Sequence, residues 1–190
     1  MAAALEASFI PWCSSWRHST LGEISAAKAA MPVPQPAKVA EWLYLGDVHD
    51  LLLVAESHRA IGFAGVLSLC PESMRQVGSA DKIGELRSFG CAHQDVAASD
   101  SMGFDMISEA MPAAISFARP FFERRAPLLV HSCRGINRAA FVAVTLLIVL
   151  EEMRLTEALR VVAASRGAVL TNRSFRAQLL DIAARVGRLQ

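Results

Sequence analysis

The feature that most constrains this chain is the stretch Val130-His-Ser-Cys-Arg-Gly-Ile-Asn-Arg-Ala139, set without a spacer between two apolar segments. Before it, Pro127-Leu-Leu-Val130 reads as a short strand. After it, Ala139 to Leu150 is a run of twelve residues that is apolar except for Thr145. A bilayer span needs roughly 18 residues, so Arg138 to Glu152 reads instead as a helix buried on nearly every side. A strand that passes through a tight loop into a buried helix is a connection of parallel α/β sheets. Such a loop turns backbone N–H groups and the positive end of the helix dipole toward one point. Gly135 allows the sharp bend, and Arg138 can grip two oxygens of a tetrahedral dianion. The cradle suits a phosphoryl group.

The rest of the chain supplies a scaffold for that loop. Ala40 to Leu45, closed by Gly46, reads as a strand, and Asp47 to Ala60 as a helix with Leu51, Leu52 and Ala55 on one side. Val66 to Leu69 and Cys91 to Val96 have strand length. Phe104 to Arg124 carries Ile107, Met111, Ile115 and Ala118 at helical spacing, with Pro112 and Pro120 expected to kink or shorten it. Two amphipathic helices follow, one capped by Thr156 and burying Leu155, Leu159 and Val162, the other capped by Asn172 and burying Phe175, Leu179 and Ile182. Alternating strands and helices predict a single α/β domain, residues 38–190, with a central, mostly parallel sheet flanked by helices. Residues 1–37, with Trp12, Trp16 and the alternating prolines of Met31 to Pro36, read as a tail and linker.

Composition limits what this domain can do. The 190 residues are 53% hydrophobic with mean hydropathy +0.34, enough apolar surface to exclude wholesale disorder. Net charge is +1, which offers no general attraction to nucleic acid or anionic membrane, so an anion site must be local. Cys13, Cys70, Cys91 and Cys133 have no framework spacing, which points to a reducing, cytoplasmic setting. The N-terminus lacks the pattern of a secretory signal. The histidines show no ligand spacing, so no metal and no cofactor is expected.

The loop resembles that of the dual-specificity protein phosphatases, a family of the cysteine-dependent tyrosine phosphatase superfamily. Their signature is His-Cys, two residues, Gly, two residues, Arg, and Gly135 and Arg138 set its register so that the nucleophile position is Ser132, not Cys133. The resemblance spans about residues 38–187. It includes Trp42 to Gly46, Val66 to Leu69, and the Asn172, Phe175, Gln178, Leu179 pattern of the last helix. It implies a phosphate-binding loop formed by Ser132, Cys133, Arg134, Gly135, Ile136, Asn137 and Arg138, oriented by His131. It implies a general acid some thirty residues upstream, and Asp100, 32 positions before Ser132, is the candidate; Asp95 falls at a strand end and Asp105 in a first helical turn. Arg166 resembles an arginine at the family's pocket mouth that contacts substrate. Cys70 occupies a position where some relatives hold a cysteine that forms a reversible disulfide with the nucleophile.

By resemblance, then, the expected activity is hydrolysis of phosphotyrosine and phosphoserine or phosphothreonine through a phosphocysteine intermediate, with a phosphoprotein as partner and phosphate or sulfate as loop ligand. Serine at 132 removes the thiolate on which that chemistry depends, so the chain as written should bind phosphate and barely turn it over. Either it is a natural pseudophosphatase that reads phosphoproteins, or the serine is an engineered Cys→Ser replacement. A retained Asp100 favours the second, because a binding module has no chemical need of an acid. Ala139 stands where many members carry Ser or Thr, a change that should slow the second step of a restored enzyme. The loop is also similar to that of RNA 5′-triphosphatases, a further alternative supported by a surplus of arginine after Met153.

Overall fold

The structure is a computed structural model and describes residues 36–52, 61–71 and 80–189. Its strands are β1 (Ala37–Lys38), β2 (Leu43–Gly46), β3 (Gly65–Ser68), β4 (Ala92–Asp95) and β5 (Leu128–His131). Its helices are α1 (Val48–Leu52), α2 (Ala80–Ser88), α3 (Met106–Glu109), α4 (Met111–Glu123), α5 (Arg138–Val149), α6 (Leu155–Arg166) and α7 (Arg173–Arg185). The sheet order is β1-β2-β5-β3-β4, parallel except for the antiparallel β1–β2 pair. β5 is its centre. Leu128 pairs with both Leu43 and Gly65, and His131 with both Gly46 and Ser68, so three strands end level where the loop begins.

Alternation of side chains along each strand divides the core between the two faces of this sheet. On one face Val66 and Leu129 pack with Leu51, Phe63, Ile83, Leu86 and Cys91. α5 lies against β2 and β5, and α4, α6 and α7 pack around it. This enclosure explains its composition: every residue from Ala139 to Ile148 is buried, and the Thr145 hydroxyl is satisfied by donating to the Phe141 carbonyl at 2.9 Å. The Phe141 and Phe175 rings meet edge-on at 5.5 Å, joining α5 to α7. Asn172 caps α7 as expected, its side chain accepting from the Ser174 amide at 3.0 Å.

Elsewhere the structure departs from the sequence reading. The first strand starts later, at Leu43, because the amides of Val39 and Ala40 both turn back to the Leu43 carbonyl; this turn adds β1, and Ala37, assigned to the linker, lies in it. Phe104 to Arg124 is two helices. Pro112 lies in the first turn of α4, where its missing N–H costs nothing, so it starts a helix instead of kinking one, and Pro120 is accommodated inside α4. Thr156 does not cap α6. The helix begins one residue earlier, at Leu155, whose amide donates to the Arg188 carbonyl at 2.8 Å. The helix read over Asp47 to Ala60 is seen as Val48–Leu52; Ala55 lies outside the described residues, as do Trp12, Trp16 and the proline linker up to residue 35.

Gly65 is held by packing. A Cβ there would lie 2.5 Å from the ring of Phe121, a buried core residue. Gly65→Ala is therefore expected to cost about 1–3 kcal/mol as the ring is displaced, read as a fall of several degrees in the midpoint of thermal unfolding. An unchanged midpoint would show that the Phe121 ring shifts freely.

Candidate active site

Where β5 ends, the chain turns through residues 132–137 into α5. Ser132 is buried, and its amide reaches the Gly46 carbonyl at 3.4 Å, tying the loop to the end of β2. Gly135 has φ +64, and a Cβ on it would meet the Gly46 carbonyl oxygen at 2.7 Å and Nη2 of Arg166 at 2.8 Å. Glycine is thus required at this position by both conformation and space.

Arg138 opens α5. Its Nη1 donates to the carbonyls of Leu69 and Ala98, each at 3.1 Å, which holds the guanidinium against the end of β3 and the segment after β4. Its Nε is buried and has no hydrogen-bond partner. A buried donor without a partner is costly, and a cation with its fork held by carbonyls on one side is suited to an anion on the other. The start of α5 adds to this. Asn137 is its N-cap residue, a type that normally accepts from the first turn, yet its side chain makes no capping bond. The helix N-terminus is left without a side-chain cap, as an anion site requires.

Arg138 and Asp100 both line a cleft of about 460 Å³ with Cys70, Pro71, Ala97, Ala98, Ser99, Phe104 and Glu109. The carboxyl of Asp100 accepts from Asn137 Nδ2 at 3.1 Å and from Asn172 Nδ2 at 3.2 Å, which brings the segment after β4 onto the loop. Its rivals are placed elsewhere. Asp95 ends β4 and stands 3.4 Å from Nε2 of His93. Asp105 caps α3 by accepting from the Ser108 amide, and this holds its carboxyl below the usual range.

His131 is wholly buried, and its Nε2 lies 2.6 Å from the hydroxyl of Ser68, which also meets Nε2 of His93 at 3.0 Å. Burial pushes His131 down to about 3, with His93 and Arg138 adding to the fall and Asp47 opposing it. His93 is lowered too, chiefly by burial. The Ser68–His93 pair was not read from the sequence; its signal was a serine within the otherwise apolar Val66 to Leu69.

Arg166 is placed differently from a pocket-mouth residue. Its guanidinium pairs with Asp47 at 2.8 Å and Asp50 at 3.1 Å and presses against Gly135, bracing the loop through charges buried at the end of β2 and in α1. Burial still pushes the Asp50 carboxyl up, against the pull of Arg166. Arg134 is exposed, and Cys133 and Ile136 are partly exposed. Cys70 lies close to Cys133, the residue beside Ser132, each two residues beyond the paired Ser68 and His131, and this neighbour helps raise the Cys70 thiol. Among the described residues no group of three His, Cys, Asp or Glu side chains is placed to hold a metal ion, and no helix is long and apolar enough to cross a membrane.

A mostly parallel sheet whose middle strand passes through a tight loop into a buried helix that opens with Arg138 is an α/β domain of the kind phosphatases use. The family model of the dual specificity phosphatase catalytic domain matches residues 43–185, and the chain belongs to that family. Dual specificity protein phosphatase 26 of Homo sapiens is 30% identical over 140 residues, which cover 74% of this chain and 63% of the relative. The Rattus norvegicus protein of the same name matches to the same extent. The matched region thus spans 63% of the length of these curated relatives. Among solved structures, human DUSP28 superimposes with TM-score 0.65 at 21% identity, covering 83% of this chain and 99% of that one. PTPMT1 in complex with PI(5)P gives TM-score 0.67 at 16% identity, covering 81% and 97%. These structural likenesses are likenesses of fold.

Two outcomes are expected from this site. His131 is neutral in the native state down to about pH 3, whereas the unfolded chain binds that proton below about pH 6.5. The resulting stability is fully present above pH 6.5 and is lost as pH falls, by up to about 1.4 kcal/mol per pH unit from this group. Urea midpoints should fall between pH 7 and pH 5, and His131→Gln should flatten the slope; an equal slope in the variant would exclude His131 as its source. Burial and the contact with Cys133 push the Cys70 thiol up to about 12, and burial alone pushes Cys91 up to about 11. Iodoacetamide at pH 8 should therefore modify partly exposed Cys133 well before either of them, read by peptide mass spectrometry. Equal rates at the three thiols would contradict this.

Proposed function

We propose that this chain is a protein phosphatase domain whose loop binds the phosphoryl group of a phosphorylated tyrosine, serine or threonine, and whose turnover is blocked by Ser132. The observation that carries the reading is Arg138: a cation with a buried, unpartnered Nε, at a helix N-terminus that its N-cap residue leaves open, on the wall of a cleft. The anion completes the hydrogen bonding that the protein leaves unmade.

With cysteine at 132 the chemistry follows directly. The thiolate, stabilised by Arg138 and the start of α5, forms a bond to phosphorus while the bond from phosphorus to the leaving oxygen breaks. Asp100 gives that oxygen its proton. Water then cleaves the phosphocysteine. A serine hydroxyl needs a base, and the adjacent His131 is poorly suited to be one: its Nε2 is engaged by Ser68 and burial lowers its basicity. Replacing sulfur by oxygen leaves the cradle intact, so phosphate binding is retained without turnover.

The test is steady-state hydrolysis of a small aryl phosphate and a phosphotyrosine peptide by the chain as written and by Ser132→Cys, each with and without Asp100→Ala. Ser132→Cys is expected to gain vanadate-sensitive activity that falls by about 100-fold with Asp100→Ala. If Ser132→Cys stays inert while the chain as written binds phosphopeptide, the protein is a phosphate-reading pseudophosphatase.

A further inference from the structure

Asn137 occupies a loop position that the phosphatase signature leaves open, yet its side chain is among the most heavily engaged at the site. Its Nδ2 donates to one carboxylate oxygen of Asp100 at 3.1 Å. Its Oδ1 accepts from the Thr171 hydroxyl at 3.1 Å and from the Asn172 amide at 3.2 Å. Asn172 closes the ring from the other side, its Nδ2 donating to the second Asp100 oxygen at 3.2 Å and to the Asp100 carbonyl at 3.3 Å. Each carboxylate oxygen thus receives an amide N–H from a different element, one at the start of α5 and one at the start of α7.

We propose that Asn137 is the positioning residue that holds Asp100 against the phosphate-binding loop and fixes the separation of acid and anion. Three observations converge. An asparagine at an N-cap ordinarily bonds to its own helix, and this one forgoes that bond entirely. The diversion leaves the first turn of α5 open, so one side chain both clears the anion site and secures the acid. The tether is also needed, because Asp100 lies in a segment that has left edge strand β4 and has no regular secondary structure from Val96 to Asp100. The inference rests on the phosphatase reading for its catalytic meaning, and on the hydrogen bonds alone for the tether.

Asn137→Ala removes the bond to Asp100 together with the acceptor used by Thr171 and by the Asn172 amide, with no capping bond of α5 lost, and two measurements on the full chain decide the matter. In the chain as written, hydrogen exchange of residues 97–104 should quicken by about tenfold as the charge-assisted bond to Asp100 is lost. Unchanged exchange there overturns the tether. In the Ser132→Cys background, the ratio of kcat/KM for phenyl phosphate to that for 2,4-dinitrophenyl phosphate, which reports the first step alone, should fall by about tenfold or more, because only the poor leaving group needs a well-placed proton donor. An unchanged ratio in an active Ser132→Cys protein overturns the positioning role and leaves the phosphatase reading standing. Failure of Ser132→Cys to hydrolyse either ester overturns that reading and the positioning role together.

Discussion

The site depends on a level ending. β2, β3 and β5 stop in register at Gly46, Ser68 and His131, and the loop that follows β5 closes on neighbours supplied by the other two. Gly46 offers its carbonyl to Ser132, Leu69 offers its own to Arg138, and Ser68 fixes the ring of His131. A parallel sheet gives this arrangement directly, since all three strands run the same way and end on the same edge. The loop takes its shape from backbone groups whose positions are set by the sheet ladder.

Charge is paired on one side of this loop, and on the other Arg138 meets carbonyl oxygens. Arg166 is neutralised by Asp47 and Asp50, and its work is steric and structural, filling the space beside Gly135. Arg138 donates to two neutral carbonyls, and its buried Nε has no partner. The two arginines differ in partners, not in type. The family resemblance offered Arg166 only as a possible substrate contact, and an arginine followed by Gly167 carries no mark of the aspartates it meets more than a hundred residues upstream.

What could be read from the sequence were features encoded locally. The strand–loop–helix around Ser132, the buried helix α5 and the cap at Asn172 each follow from a short window of residues. Thr156 failed as a cap because the competing satisfaction of α6 came from Arg188, far along the chain. Phe104 to Arg124 divided because Pro112 favours the first turn of a helix as readily as it disrupts an interior. Asp100 was chosen for its spacing to Ser132, and the pair of asparagines bonded to it could not be read at all, since the contact joins three segments that no periodicity connects.

The sheet order gives the two halves of the site unequal foundations. The loop of residues 132–137 grows from β5, which has a strand on each side, while Asp100 follows β4, which has a strand on one side only. Local opening that frays an edge strand need not disturb a central one. The two halves therefore have separate tolerances to change: drift at the sheet's margin can displace Asp100 while the loop after β5 keeps its shape. Under the proposed function, that is the difference between losing turnover and losing recognition.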